Sequence, residues 1–424
     1  MNHALTWTAA ILLVYAALRP RLEHLQVSAA LFFTAAGFLV GPVLGAVHLD
    51  IGSEDVKTLA EATLVLVLFT DASRISLREL RRERGVPERL LGIGLPLTLV
   101  VGTVAAIAVL PSLTMVEALL LAVMLSCTDA ALGKAVVTDP RVPSAVRQGL
   151  NVESGLNDGL CVPIFLVALT AAEAEQGALG DGEAMRVVAE QLGFGACAGV
   201  LSALLGVLAL RLSRPPARAP WGQILPVSVA LLSAGLAHAW GGSIFIAAFV
   251  AGAVTAFVPS RDTRIDEHTE LLEEGGEVLN AITFAVFGAV VLEPALQAVT
   301  WPVLAYAVLS LTVARMLPVA LAMARSGASR STVAYLGWFG PRGLASVVFA
   351  VMLVDADLEH ESLIVTTVSV TVALSVLLHG LTAGPLTDRY VAAVSRAAPR
   401  PRPRPSPETA EVQVPRWRAA RTRT

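Results

Sequence analysis

The sequence predicts an all-α polytopic membrane protein of about thirteen transmembrane helices, and three observations carry that prediction. The first is composition. Of 424 residues, 55% are hydrophobic and only 15% charged, with a mean hydropathy of +0.69, proportions foreign to soluble domains. The second is a recurrence of apolar windows bounded by turn residues or charges. They fall at about 4–18, 27–47, 56–73, 88–110, 114–137, 144–172, 185–211, 221–239, 242–258, 270–292, 300–324, 331–354 and 361–392.

The third observation is the placement of arginine. Alternate loops hold Arg19 and Arg21; Arg74, Arg78, Arg81, Arg82, Arg84 and Arg89; Arg141 and Arg147; Arg211, Arg214 and Arg218; Arg261 and Arg264; Arg325 and Arg330. The intervening loops, His48 to Asp55, Ala172 to Glu183 and Val354 to Glu361, carry no Lys or Arg. A miscounted span would throw this alternation out of phase. It predicts an amino end outside and a carboxyl end in the cytoplasm.

Taken in order, the first window has no basic residue before it and two arginines after it, the reverse of a signal peptide. It reads as a short first transmembrane helix. Span three closes on Phe69-Thr70-Asp71-Ala72-Ser73-Arg74, where Asp71 either attracts cations to the cytoplasmic entrance, or caps a helix end or pairs with Arg74. Span five holds Leu125-Ser126-Cys127-Thr128-Asp129, and Asp129 falls near mid-membrane. Span six carries Glu153 and Asn157 on one helical stripe and Ser154 and Asp158 on the next.

A carboxylate in hydrocarbon costs about 3 kcal/mol or more, so Asp158 needs a use. Thr128, Asp129, Ser154 and Asp158 can direct oxygen atoms at one point between two helices, the shell a hard monovalent cation prefers. Binding a small cation or a proton is the inferred use. Ser154 and Asn157 read alternatively as polar glue between helices.

Two arginines also lie inside apolar windows. Arg315 is central in span eleven, and Arg342 sits in Gly340-Pro341-Arg342-Gly343 of span twelve. Neither can lose its charge, and Glu153 is the best mate for one of them, Arg315 preferred. Pro341 and the glycines forbid a regular helix, and a weaker interruption is expected at Thr128 to Gly133. Paired interrupted helices mark a transport site, with Asp129 facing positive helix ends and Arg342 negative ones. Cys127, Cys161 and Cys197 lack zinc-ligand spacing and read as small buried hydrophobes. Beyond residue 395, the Arg/Pro-rich stretch 396–424 is expected to be a disordered cytoplasmic tail.

Together Thr128-Asp129, Glu153-Ser154-x-x-Asn157-Asp158, Arg315 and Gly340-Pro341-Arg342-Gly343 resemble a known family. It is the monovalent cation:proton antiporters of the sodium/proton exchanger type, in the bacterial branch with an Asn-Asp pair. The ending of span three is similar too, and the resemblance covers essentially all spans. It implies an inverted-repeat antiporter fold with interrupted helices in spans five and twelve. Within a membrane domain of residues 1–395, spans at about 88–172 and 300–392 would form a mobile core. Spans at about 4–73 and 221–292 would form a dimerising scaffold.

By the same resemblance Asp158 carries the ion or proton, and Thr128, Asp129 and Ser154 help ligate the cation. Asn157 would brace the span-five crossing and Glu153 would pair with Arg315. The expected activity is electroneutral one-for-one exchange of Na+, or of Li+ or K+, for H+ across the cell membrane by a homodimer serving pH homeostasis. Two other readings are a gated cation channel and an intramembrane acid-base enzyme. Channels repeat one filter around a pore, and no nucleophile accompanies these acids. No catalytic residue, cofactor or nucleic-acid partner is expected.

Overall fold

In the computed structural model, residues 2–25, 27–47, 51–74, 85–129, 131–177, 180–213, 220–257, 270–354, 356 and 358–396 are described. Each of the thirteen apolar windows carries helix among these residues. The first half of the chain runs through α1 (Asn2–His24), α2 (Ala29–Val43), α3 (Glu54–Ser73) and α4 (Val86–Val109). A split window then gives α5 (Met115–Met124) and α6 (Lys134–Thr138), followed by α7 (Ser144–Glu175) and α8 (Asp181–Ser213). The second half holds α9 (Pro220–Trp240), α10 (Ile244–Phe257), α11 (Leu271–Gln297) and α12 (Trp301–Ala322). A second split window gives α13 (Arg330–Trp338) and α14 (Leu344–Leu353), and α15 (Glu361–Arg396) closes the bundle.

Seven helices among the described residues, α4, α7, α8, α9, α11, α12 and α15, are long and apolar enough to cross a membrane unaided. Most ends lie within a few residues of the predicted windows. The first helix is an exception, continuing through Pro20 to His24 instead of stopping near 18. Arg19 and Arg21 end the apolar stretch without ending the helix, and one proline removes only one backbone donor. Of the predicted tail, only Arg396 lies among the described residues; Arg78, Arg81, Arg82, Arg84, Arg214, Arg218, Arg261 and Arg264 lie outside them too. Cys197 departs from expectation: it is exposed on α8, on a bundle surface shared with Leu201, Leu204 and Leu208, while Cys127 and Cys161 are buried.

The helices pack as two groups. In one, α10 packs against α3, α8 and α9, while α11 packs against α2 and α3. In the other, α4 lies against α5 and α12, α5 against α7, and α15 against α12, α13 and α14. The groups meet where α7 rests on α3, α8 and α10, where α14 rests on α3, and where α15 meets α2 and the end of α11.

The two ends of the bundle are chemically distinct. At one, Arg74 pairs with Glu273, Lys134 with Glu277 and Arg141 with Asp388, while Arg89 donates to the carbonyls of Ala322 and Ala324 at 3.0 Å. At the other, buried Glu117 ties three helices together. It caps the start of α5, accepts from Gln176 beyond α7, and meets His360 before α15 at 3.0 Å. Arg74, Arg89 and Arg141, from three of the predicted basic loops, thus lie at one end.

Candidate functional site

Both split helices break for local reasons. In the first, Ser126 turns back to the Ala122 carbonyl, and Asp129 Oδ1 accepts the backbone N–H groups of Ala131 and Leu132 at 2.7 and 3.1 Å. A side chain that captures N–H groups competes with the helix for them. In the second, Pro341 has no N–H to offer. The two breaks then bond to each other: Asp129 N donates to the Pro341 carbonyl (2.8 Å), and Asp129 Oδ2 accepts from Leu344 N (2.9 Å).

Ser346, in the first turn of α14, reaches the Met124 carbonyl ending α5 at 2.7 Å. So α5, which precedes its break, and α14, which follows its own, share one side of the crossing. Spans five and twelve consequently run in opposite directions. Each is flanked by long helices, α4 and α7 for the first, α12 and α15 for the second. This is the inverted repeat.

The end of α5 faces the start of α14 at the crossing, and two side chains answer these ends. Asp129 sits at the amino-terminal end of α14. The guanidinium of Arg342, fully buried, donates Nη1 to the Ser126 and Cys127 carbonyls beyond the end of α5 (3.0 and 3.3 Å). A Cβ on Gly343 would collide with the Asp129 carboxylate, so only glycine lets the breaks meet this closely.

The stripe on α7 is divided among partners. Glu153 forms a two-pronged ion pair with Arg315, Nη1–Oε1 2.5 Å and Nη2–Oε2 2.8 Å, both groups buried. Asn157 donates Nδ2 to the Ser126 carbonyl (2.9 Å) and to Thr128 Oγ1 (3.3 Å), and its Oδ1 accepts from Cys161. Thr128 in turn donates to Ser154 Oγ at 3.3 Å.

Asp158 differs. It is buried, and its Oδ1 has no hydrogen-bond partner among the described residues. Gly155 and Gly159 flank it on the same face of α7. A Cβ on Gly155 would lie 3.2 Å from the Asp71 Cβ at the end of α3, and one on Gly159 would strike the Phe249 ring of α10. Asp158 therefore looks onto the seam between the two helix groups, with Asp71 across it. Arg74, just beyond Asp71 at the end of α3, pairs with Glu273.

The sequence singled out Asp71, Thr128, Asp129, Glu153, Ser154, Asn157, Asp158, Arg315 and Arg342 but missed others. Thr312 leaves helical geometry (φ −111°, ψ −83°) three residues before Arg315, kinking α12 there. Ser375 and His379 of α15 are buried against the second break. A histidine one turn after a serine inside an apolar span was the available signal.

Two oppositely directed broken helices, crossing in a bundle of apolar helices beside a buried acid with one oxygen unpartnered among the described residues, are the architecture of secondary transporters. The chain belongs to the sodium/hydrogen exchanger transmembrane family, which matches residues 9–389. It is 29% identical over 292 residues to the Na+/H+ antiporter NhaP of Pseudomonas aeruginosa, covering 65% of this chain and 66% of that one. It is 25% identical over 333 residues to the K+/H+ antiporter NhaP of Alkalimonas amylolytica, covering 77% and 56%. The chain thus spans between half and two thirds of the length of these curated relatives. The sodium proton antiporter MjNhaP1 from Methanocaldococcus jannaschii shares the fold, with a TM-score of 0.73 at 21% identity over 89% of this chain and 98% of that one.

Proposed function

We propose that the protein exchanges one monovalent cation for one proton across the cell membrane, the two competing for Asp158. The unpartnered Asp158 oxygen carries this reading. Glu153 is matched by Arg315, and Asp129 by three backbone N–H groups, so Asp158 is the acid of the crossing left for a mobile ion. Burial in low dielectric demands neutralisation, by a proton or by a cation, and one carboxylate does not hold both.

The hydroxyls of Thr128 and Ser154 supply further oxygens, and Asp71 faces the site from α3. Asp129, with its oxygens already accepting, contributes its field. With Asn157 uncharged, one charge exchanges for one charge and transport is electroneutral. Na+ is the first candidate, with Li+ and K+ beside it. The relatives' names include both Na+ and K+.

Alternating access follows if the group of α4–α7 and α12–α15 moves as a core, about 88–172 and 300–392, only when Asp158 is occupied. The spans at about 4–73 and 221–292 serve as the scaffold through which two copies associate. The arginine-bearing end lies in the cytoplasm, which puts the amino end outside. The test is dequenching of a pH dye in everted vesicles on addition of Na+, Li+ or K+, scanned across pH. The wild type dequenches and Asp158→Asn does not; full activity in that variant removes Asp158 as the carrier.

A further inference from the structure

Helix α15 is bonded to the second split span rung by rung. Tyr390 Oη meets Thr332 Oγ1 at 3.1 Å, Thr387 Oγ1 meets Tyr335 Oη at 3.0 Å, and Thr382 Oγ1 accepts from Trp338 Nε1 at 3.0 Å. The last two rungs clasp the break itself. His379 Nε2 donates to the Trp338 carbonyl at 2.9 Å, and Ser375 Oγ accepts from Arg342 N at 2.7 Å. Both side chains are buried, one helical turn apart on one face.

The first repeat has a counterpart. Asn157 of α7 donates to the Ser126 carbonyl just past α5, as His379 does to the carbonyl ending α13. After Asn157 comes Asp158; after His379 comes Gly380, whose Cα faces Ser28 and Leu31 of α2. The second repeat keeps the brace and lacks the acid.

We propose that His379, with Ser375, is a positioning residue for the exchange site, an inference that rests on the exchange function proposed above. The pair holds the backbone of Arg342. The Arg342 guanidinium holds the Ser126 and Cys127 carbonyls, and the next residue, Thr128, carries a hydroxyl of the cation site. Slackening the brace displaces Thr128 relative to Ser154 and Asp158, which weakens cation binding without removing a ligand.

This role does not depend on titration. The Trp338 carbonyl only accepts, so Nε2 carries a proton in either charge state of the ring. At Nδ1, Ser375 Oγ (3.2 Å) donates to a bare nitrogen and the Ser375 carbonyl (2.9 Å) accepts from a protonated one. The charged groups that act on the ring are the guanidiniums of Arg342 and Arg315, and the indole of Trp338 lies 5.2 Å away.

The test uses the full chain in liposomes, with Na+ and K+ as probes, reading KM, maximal rate and pH profile. His379→Leu and Ser375→Ala each raise the cation KM about tenfold, the worth of one buried hydrogen bond, with the maximal rate held within about twofold. His379→Gln, which keeps an N–H near the Nε2 position and cannot titrate, returns KM to within about twofold and leaves the pH profile in place. Wild-type KM in His379→Leu and Ser375→Ala overturns the proposal, as does a displaced pH profile in His379→Gln. If His379→Leu does not fold, Ser375→Ala and His379→Gln decide alone. Wild-type protein that exchanges nothing overturns the exchange function, a different result from wild-type exchange with unaltered variants.

Discussion

Glu153 and Asp158 lie on the same helix within two turns, yet their partners give them opposite work. Glu153 is held on both oxygens by Arg315, and such a pair offsets its desolvation only in part. The pair joins α7 to α12. Glu153→Gln leaves a buried guanidinium without its counter-charge and lowers stability by about 3–5 kcal/mol. A marked fall in the melting temperature of the detergent-solubilised protein is the readout, with Glu153→Gln/Arg315→Met recovering most of the loss. A single variant that melts with the wild type contradicts the pairing. At this scale sequence reasoning works where charge meets hydrocarbon, which is why Glu153, Asp158, Arg315 and Arg342 stood out. Ser375 and His379 did not, because Ser and His satisfied inside an apolar helix carry no charge imbalance to notice. Which oxygens of Asp129 were already taken was equally hidden, since Leu344 lies 215 positions away.

Among the elements, the two breaks were unequally legible. Pro341, with Gly340 before it and Gly343 two residues on, announces the second. Nothing so local announces the first, where the interruption depends on Asp129 withdrawing two N–H groups from the helix and on a partner strand of backbone from Pro341 to Leu344. The break at Thr312 likewise has no clear mark in the sequence, whereas the π-helical turn at Leu39–Val43 contains Gly41 and Pro42. The close approach of the breaks makes a steric prediction. Gly343→Ala drives a methyl group into the Asp129 carboxylate, an overpacking cost of about 1–3 kcal/mol at the crossing. Exchange in everted vesicles is then lost while the protein still reaches the membrane. Wild-type exchange by Gly343→Ala refutes the tight crossing.

For the whole molecule, the helical stretches were readable because apolar runs are bounded by turn residues and charges, and the described helices fall in those windows. The division into two packed groups was not readable from residue patterns, because apolar faces look alike whichever neighbour they meet. That division matters to transport, since Asp158 lies on the seam and Asp71 looks at it from the other side. The claim most exposed to measurement is that Asp158 is neutralised by a cation or by H+ but not by both. Purified protein in weakly buffered detergent solution, titrated with radiolabelled Na+ beside a pH dye, reports both ions at once. One proton released per cation bound in the wild type, and none in Asp158→Asn, is the result expected. Cation binding that releases no proton from the wild type contradicts it.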